Sequence, residues 1–343
     1  MVASGFAPVV VAAFGVSTPY AYWGFGLVCA LVEAISGKAL HLHVTSLEQL
    51  REGFAQRAGG SVVFTSDFPD AELARFACAS GIPVLVFSDD PGDTLQWVRS
   101  SRGITALEAG RLCSRMYCAL APPLTAERAL VFAGRRDEDP AIVVAAIIEH
   151  LWPGRESWLA EATFEHLLEV GKLDRARTVE RSQYEAPPAV ETAAEQEALQ
   201  TMRAAGESYR PLVNGVMPEE IEWPLALFTR PDNKPWSAPF DLTGPARALF
   251  WGPYMHLPAG EWTARVEFEV DDAMSGVEAL TDVRVNETVI EKNFAMPAKG
   301  IFSYDLSFRV DDPHHAIEIR LFIKKSAIEG VFLPRSVRVR PGV

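Results

Sequence analysis

The sequence predicts an α/β domain followed by an all-β domain. Up to about residue 135, apolar runs of strand length alternate with segments of helical period, which is typical of a parallel sheet covered by helices. After Pro211 the apolar period changes from 3.6 to 2, as antiparallel strands with one buried face require. A chain of 343 residues is also too long for one ordinary core, so two domains are expected.

The elements of the first half follow from these apolar runs. Strands are predicted at Pro8–Phe14, Ala39–Val44, Ser61–Thr65, Pro83–Phe87 and Arg128–Phe132. Helices are predicted at Phe25–Ser36, from Ser46 onward, and at Asp70–Ser80, Ile104–Ala121, Pro140–Leu151 and Trp158–Val170. Ser46 and Gln49 have the spacing of a capping box, which fixes the start of the second helix.

A change of composition separates the two halves. Leu173–Arg210 contains Pro187, Pro188 and many Ala and Glu residues, but few large apolar ones. We interpret it as a connector with a solvated helix over Val190–Ala205. The predicted domains are therefore 1–175 (α/β), 176–214 (connector) and 215–343 (all-β).

Alternating apolar residues predict the strands of the second half. Trp262–Val270, Phe302–Val310 and Ile317–Ile323 each place apolar residues at every second position. Several such strands, separated by Pro, Gly and Asp turns, predict a β-sandwich of the jelly-roll kind. Trp262 lies on the apolar side of its strand and is expected in the core.

The charge balance limits the possible partners. A formal net charge of −13 argues against nucleic acid or an anionic membrane surface, because both select clustered Lys and Arg. Met1–Val32 contains no charged residue, but it lacks the basic region of a signal peptide and is interrupted by Pro and Gly. We therefore expect no membrane span, and a cytoplasmic location.

An acidic turn follows the strand Pro83–Phe87. Asp89, Asp90 and Asp93 surround a Pro-Gly pair at a place where open α/β sheets bind ligands. Clustered carboxylates could hold Mg²⁺, whereas a solvated turn is the simpler interpretation. In either case three carboxylates disfavour a phosphate ligand.

Three segments carry a family resemblance over roughly residues 8–135. They read FGVSTPYAYW, TSDFPDAEL and DDPGDTLQW, and their order resembles that of sulfotransferase-type P-loop proteins. That family begins with a phosphate-binding loop of the form P-[KR]-S-G-[TS]-[TS]. Here Val16 stands at the position of the cation, Thr18 at that of the glycine, and Pro19 lacks a backbone N–H. Residues of the family that hold the 3′-phosphate are also replaced, by Asp89, Gly92 and Trp97. The resemblance thus predicts the fold with a degenerate donor site and no cofactor.

The same resemblance places Asp67 where the family keeps its catalytic base. A carboxylate there could accept a proton from a sugar hydroxyl. Asp67 could equally cap the next helix, as Asp70 could. His41 and His43 alternate on one strand and share a face. They could be metal ligands, but no third ligand follows at a useful spacing, so ordinary packing is favoured and no metal site is expected.

The second half carries a resemblance of its own, over about Phe240–Pro341. The run RALFWGPYMHLPAGEWTARVEFEV resembles the opening of carbohydrate-binding-like modules attached to bacterial glycosyltransferases and methyltransferases of surface-polysaccharide pathways. The matching residues are Trp251, Gly252, Pro253, Tyr254, Leu257, Pro258, Ala259, Gly260 and Trp262. Sugar binding requires exposed aromatic rings flanked by polar groups. The candidates are Trp236, Trp251, Tyr254 and His256, with Arg265 and Glu329 as hydrogen-bonding partners. The alternative is that the β-sandwich docks a protein partner or has only a structural role.

These observations predict a non-catalytic, glycan-linked protein of a bacterial surface-polysaccharide system. Its expected partner is a saccharide or a protein of polysaccharide biosynthesis. A second hypothesis is an active sulfotransferase, or another group transferase acting on a polysaccharide, with Asp67 as base. A third is a protein–protein scaffold, with a homodimer as one possible form.

Overall fold

The chain forms two compact units in a computed structural model. The structure describes residues 7–55, 59–133, 139–154, 157–173, 192–234, 236–273 and 276–342. Unit 1 comprises Met1–Ile104, Ala119–Val190 and Arg210–Met217, and unit 2 comprises Thr105–Cys118, Glu191–Tyr209 and Pro218–Val343. The predicted class, α/β plus all-β, is confirmed. The domain boundaries at residues 175 and 215 stay a prediction.

Unit 1 contains a parallel sheet of five strands. The strands are β1 (Val10–Gly15), β2 (Ala39–His43), β3 (Ser61–Ser66), β4 (Val84–Ser88) and β5 (Ala129–Ala133). Their spatial order is β2-β3-β1-β4-β5, and every neighbouring pair is parallel. All residues of β3 and β4 are buried, as expected for parallel strands covered on both faces.

The helices are numbered through both units. They are α1 (Pro19–Ser36), α2 (Leu47–Ala55), α3 (Ala71–Ala79), α4 (Pro91–Arg102), α5 (Ala106–Ala119), α6 (Ala121–Thr125), α7 (Pro140–Leu151), α8 (Ser157–Glu169), α9 (Ala193–Glu207) and α10 (Arg210–Val213). Of these, α5 (through Cys118) and α9 belong to unit 2. Among the described residues, none of these helices combines the length and apolar character needed to cross a bilayer.

Two helix boundaries differ from the prediction. The first helix begins at Pro19 and not at Phe25, because Thr18 caps it through a hydrogen bond from the Ala21 N–H and proline is tolerated at the first helical position. The helix predicted over 104–121 is α5, which ends at Ala119, and the short helix α6 follows it at Ala121–Thr125. The capping residue of α2 was predicted correctly, since Ser46 Oγ accepts from the Gln49 N–H at 3.2 Å.

Unit 2 contains two antiparallel sheets. Its strands are β6 (Ile221–Trp223), β7 (Phe240–Asp241), β8 (Arg247–Met255), β9 (Gly260–Asp271), β10 (Glu278–Val285), β11 (Thr288–Ala295), β12 (Gly300–Val310), β13 (Ile317–Ile323) and β14 (Val331–Pro341). One sheet has the order β11-β10-β13-β8; the other has the order β12-β9-β14-β6, with β7 paired to β14. Trp262 is 2% exposed, which confirms its predicted place in the core.

Helices from earlier in the chain complete unit 2. The Ala106 N–H of α5 donates to Glu195 Oε1 of α9 at 2.7 Å. At the end of this helical segment, the buried Tyr209 donates its hydroxyl to the His256 carbonyl at 2.8 Å and accepts from Trp223 Nε1 at 3.4 Å. Residues that precede 215 therefore contribute buried contacts to the all-β unit.

Candidate functional site

In unit 1, polar side chains converge on Asp67 at the carboxyl ends of the strands. Asp67 follows β3, and its Oδ2 accepts hydrogen bonds from Ser17 Oγ and from the Tyr22 hydroxyl, each at 2.7 Å. Its Oδ1 lies 3.4 Å from Nε2 of His43, the last residue of β2. We call Ser17, Tyr22, His43 and Asp67 the Asp67 cluster. The carboxyl edge of an open α/β sheet is the place where ligands bind in such folds.

The two aspartates near α3 have different roles. Asp70 caps the helix, because its Oδ1 accepts from the Leu73 N–H at 2.6 Å. Asp67 instead accepts the hydrogen bonds of Ser17 and Tyr22. The second ring nitrogen of His43, Nδ1, lies 3.0 Å from Thr65 Oγ1. Both ring nitrogens of His43 are thus engaged within the protein. The assignment of Asp67 as a catalytic base stays a prediction.

Burial divides the Asp67 cluster into an inner and an outer part. Ser17 is 4% exposed, whereas Tyr22 is 46% exposed. Burial, followed by the hydrogen bond to Asp67, raises the pKa of Tyr22 to about 12. Tyr22 therefore remains a protonated hydrogen-bond donor at neutral pH.

The residues after β1 and β4 do not fit the phosphosulfate donor that the family resemblance implies. The Val16 N–H donates to the Phe87 carbonyl at 3.3 Å, and the Thr18 N–H donates to the Val16 carbonyl at 2.6 Å. Pro19 has no N–H, so these groups offer no cradle for a phosphate. Asp90 caps α4 by accepting from the Gly92 N–H and also pairs with Arg210 Nη1 at 2.6 Å. This carboxylate stabilises the turn.

In unit 2, aromatic and charged side chains share one sheet surface. Successive side chains of a strand point to opposite faces of the sheet. The residues that alternate with the core residues along each strand therefore point outward. We call the outward positions of the sheet β11-β10-β13-β8 the aromatic face. Its members are Ala248, Trp251 and Pro253 of β8, Glu318, Arg320 and Phe322 of β13, Leu280, Asp282 and Arg284 of β10, and Val289, Glu291 and Asn293 of β11.

Arg320 occupies the middle of the aromatic face. It stands opposite Trp251 on one side and Asp282 on the other. Its Nε donates to Asp282 Oδ1 at 2.8 Å and its Nη2 donates to Asp282 Oδ2, while its guanidinium lies 5.1 Å from the centre of the Phe322 ring. The Asp282 carboxylate raises the pKa of Arg320. The face thus presents a guanidinium group that a buried carboxylate holds in place, next to half-buried aromatic rings.

Tyr254 lies at the end of the aromatic face. Its hydroxyl donates to Glu318 Oε1 at 2.7 Å, and the Arg111 guanidinium of α5 lies 5.0 Å from its ring centre. Burial, followed by this hydrogen bond, raises the pKa of Tyr254 to about 12. Its φ of 62° is rare for a bulky side chain, and such conformations cluster at ligand sites.

The other four candidate residues lie elsewhere in unit 2. Arg265 is on the outward side of the second sheet, where its Nε and Nη2 donate to the two carboxylate oxygens of Asp305 at 2.8 and 2.9 Å. The Trp236 ring packs against aromatic rings at centroid distances of 6.0 to 6.2 Å, namely Phe228, Phe240 and Phe250. Glu329 is half-buried between β13 and β14.

His256 is an interior residue. It is 7% exposed, and its Nδ1 lies 3.0 Å from the Pro313 carbonyl oxygen. Burial lowers the pKa of His256 to about 4. The structure therefore brings Trp251 and Tyr254 to one sheet surface and places Trp236, His256, Arg265 and Glu329 apart from it.

Of the aromatic face, sequence reasoning named only Trp251 as a candidate for sugar binding; the missed members include Leu280, Asp282, Arg320 and Phe322. A signal for two of them was present. Phe322 and Leu280 are apolar residues at outward positions, where strict alternation would place polar ones. Exposed apolar residues on a sheet surface often mark a binding site.

Neither a protein-family model nor a curated protein sequence matches the chain. Solved structures similar to part of it include a family 16 carbohydrate-binding module (14% identity, 29% of this chain and 74% of that chain, TM-score 0.23). Another is the xylan-binding module CBM15 (10% identity, 36% of this chain and 96% of that chain, TM-score 0.27). A third is a CBM61 module in complex with β-1,4-galactotriose (10% identity, 36% of this chain and 83% of that chain, TM-score 0.24). Each of these likenesses covers about a third of this chain, and a sulfotransferase-like fold for the first half stays a prediction.

Proposed function

We propose that unit 2 binds a saccharide through the aromatic face. The observation that carries this proposal is the contrast between the outward surfaces of its two sheets. On the second sheet, the outward positions of β9 and β12 hold charged or short polar residues and one isoleucine: Glu261, Thr263, Arg265, Glu267, Glu269, Ile301, Ser303, Asp305, Ser307 and Arg309. None of these outward positions of β9 and β12 carries an aromatic ring, whereas the aromatic face has rings next to polar groups.

The chemistry of the aromatic face suits a sugar ring. The C–H groups of a pyranose pack against the half-buried rings of Trp251 and Phe322, and its hydroxyl groups require fixed donors and acceptors nearby. The bidentate contact with the buried Asp282 fixes the guanidinium of Arg320 before any ligand arrives. Such preorganisation lowers the entropic cost of binding.

Binding to a glycan array, followed by affinity electrophoresis on the polysaccharides that bind, tests the proposal. Trp251→Ala and Phe322→Ala should each weaken binding about tenfold or more, since each removes a ring from the face. Ile301→Ala is the matched control, because Ile301 is an apolar residue, 63% exposed, on the outward surface of the other sheet. Far-ultraviolet circular dichroism confirms that each variant is folded. Equal binding by folded ring variants and wild type contradicts the proposal.

We further propose that the chain acts as a non-catalytic, glycan-linked protein in a bacterial surface-polysaccharide system. The support is the resemblance of Trp251–Trp262 to modules of such systems. Binding to a panel of purified bacterial surface polysaccharides tests this role. A folded protein that binds none of them, but co-purifies with a polysaccharide-biosynthesis protein, favours the scaffold instead.

Group transfer at the Asp67 cluster is a second candidate function. The observation that favours it is the convergence of hydroxyl, imidazole and carboxylate groups at the carboxyl edge of the parallel sheet. Asp67 would accept the proton of a saccharide hydroxyl. Since the β1–α1 segment does not fit a phosphosulfate, no thermal shift is expected with adenosine 3′,5′-bisphosphate. A ligand at a hundred times its Kd would stabilise unit 1 by about 2.7 kcal/mol, and such a shift would restore the sulfotransferase hypothesis.

A further inference from the structure

We propose that unit 1 binds a small zwitterion with an apolar body, the chemistry of apolar amino acids and short apolar peptides, in a cavity at the amino edge of its parallel sheet. The cavity has a volume of about 560 Å³. This volume lies within the range of about 300–1,000 Å³ that small-molecule sites occupy. The inference concerns unit 1 and does not depend on saccharide binding by unit 2.

Three segments of unit 1 surround the cavity. They are residues 81–83 before β4, residues 127–130 at the start of β5, and the end of α7 together with Pro153. Because β4 and β5 are parallel to the other strands, their amino ends lie at one edge of the sheet and the carboxyl end of β3, followed by Asp67, lies at the opposite edge. The cavity is therefore separate from the Asp67 cluster.

Much of the cavity wall is apolar. Ile82, Pro83 and Leu130 contribute to it from the sheet side, and Leu151 and Pro153 from the end of α7. Leu151 is buried, and Ile82 and Leu130 are half-buried. An apolar group of a ligand is removed from water against these side chains, which favours binding in proportion to the area covered. The wall thus suits a ligand with an apolar body.

Two opposite charges also line the cavity. Glu127 and Arg128 are consecutive, exposed residues of the turn that leads into β5. Neither side chain forms an ion pair or a hydrogen bond with the part of the chain that the structure describes. A ligand with one charge would meet an opposite charge and a like charge together. A zwitterion offers its carboxylate to Arg128 and its ammonium group to Glu127.

His150 adds a polar group to the wall without adding a charge. Burial lowers the pKa of His150 more than the contact with the Val84 backbone raises it, so the ring is neutral at pH 7. Its Nε2 is buried and has no hydrogen-bond partner among the described residues, which is uncommon in native structures. The peptide group of a dipeptide offers such a partner. The free imidazole and the volume both favour a dipeptide over a single amino acid.

Three ligands with the same phenyl group test the need for both charges. Phenylalanine carries both, 3-phenylpropionate carries only the carboxylate, and 2-phenylethylamine carries only the ammonium group. In isothermal titration of the full chain at pH 7, phenylalanine should bind about fivefold or more tightly than either of the others, since each lacks one ion pair. Leucyl-phenylalanine should bind more tightly than phenylalanine, because it covers more of the apolar wall.

Two substitutions assign the charges. Arg128→Gln should remove the advantage of phenylalanine over 2-phenylethylamine, and Glu127→Gln should remove its advantage over 3-phenylpropionate. Arg51→Gln and Glu52→Gln are matched controls, because these residues are also adjacent, exposed and oppositely charged but lie on α2. Both controls should bind all four ligands as the wild type does. Far-ultraviolet circular dichroism confirms that each variant is folded.

Each contrary result has its own meaning. If none of the four ligands binds to the wild type, the inference is contradicted and the proposal of saccharide binding by unit 2 is unaffected. If 3-phenylpropionate binds as tightly as phenylalanine, the cavity takes a simple carboxylate and the zwitterion is wrong. If binding is unchanged in both folded variants of Glu127 and Arg128, the ligand lies elsewhere and the cavity is not its site.

Discussion

Gly24 of α1 lies against the ring of Phe87 of β4, and the contact leaves no room for a side chain. A Cβ atom built on Gly24 would stand 2.4 Å from Phe87 Cδ1. The Phe87 ring cannot retreat, because it stacks on Phe132 at a centroid distance of 5.1 Å. Helix α1 can therefore pack this closely against the parallel sheet only because residue 24 has no side chain.

Two glycines of α1 therefore predict opposite effects. Gly24→Ala should lower the free energy of unfolding by about 2 kcal/mol through overpacking. Gly26→Ala should raise it by about 0.5–1 kcal/mol, because nothing lies within 4 Å of a Cβ there and alanine favours the helix. Urea denaturation measures both. Equal effects of the two substitutions would contradict the close contact with Phe87.

Removal of a buried partner should cost more than removal of an exposed one. Asp282→Ala leaves Arg320 without its carboxylate and should lower the free energy of unfolding by about 3 kcal/mol. Asp305→Ala breaks a pair of the same geometry, but both members are substantially exposed, and it should change the stability by less than about 1 kcal/mol. Denaturant unfolding of the two variants makes the comparison. The prediction is wrong if the Asp305 variant is the less stable one.

His256 should make unit 2 sensitive to acid. Its pKa is about 4 in the folded protein, because burial opposes protonation and Arg115, His314 and His315 add positive potential. An unfolded histidine has a pKa of about 6.5, so the unfolded state binds the proton first as the pH falls. The contribution to stability is complete above pH 6.5 and is lost between there and pH 4, up to about 3 kcal/mol.

The measurement is urea unfolding at several pH values between 7 and 4.5. His256→Asn retains a donor for the Pro313 carbonyl but does not titrate in this range, so the difference in stability between wild type and variant should shrink as the pH falls. A constant difference would show that His256 does not account for the acid sensitivity.

Within the Asp67 cluster, burial should decide which hydrogen bond matters more. Ser17→Ala should lower the free energy of unfolding by about 1–2 kcal/mol, because its hydroxyl is buried. Tyr22→Phe should cost less than about 1 kcal/mol, since water can replace the bond of an exposed hydroxyl. In an Asp67→Ala background both effects should fall, because their common acceptor is gone. Additive effects in the double variants would contradict a shared acceptor.

The sequence alone determined the class of each half, the five parallel strands of unit 1 and three of the long strands of unit 2. Apolar periods of 3.6 and 2 record which side of each element is buried, and that information is local to the element. Short-range capping was equally readable, as Ser46 and Asp70 show. The start of α1 was predicted too far along the chain, at Phe25 and not at Pro19. A proline is typical of turns as well as of the first position of a helix, so the local sequence does not distinguish the two.

Only the tertiary structure decided which side chains meet. Asp67 gathers Ser17, Tyr22 and His43 because parallel strands distant in sequence end at the same edge of the sheet. Trp251 stands opposite Arg320 through the pairing of β8 with β13, and Arg320 binds Asp282 through the pairing of β13 with β10. Strand order and register follow from packing over the whole chain, and a one-residue change in register would turn each side chain to the other face. The local sequence could therefore not predict which residues come together in either candidate site.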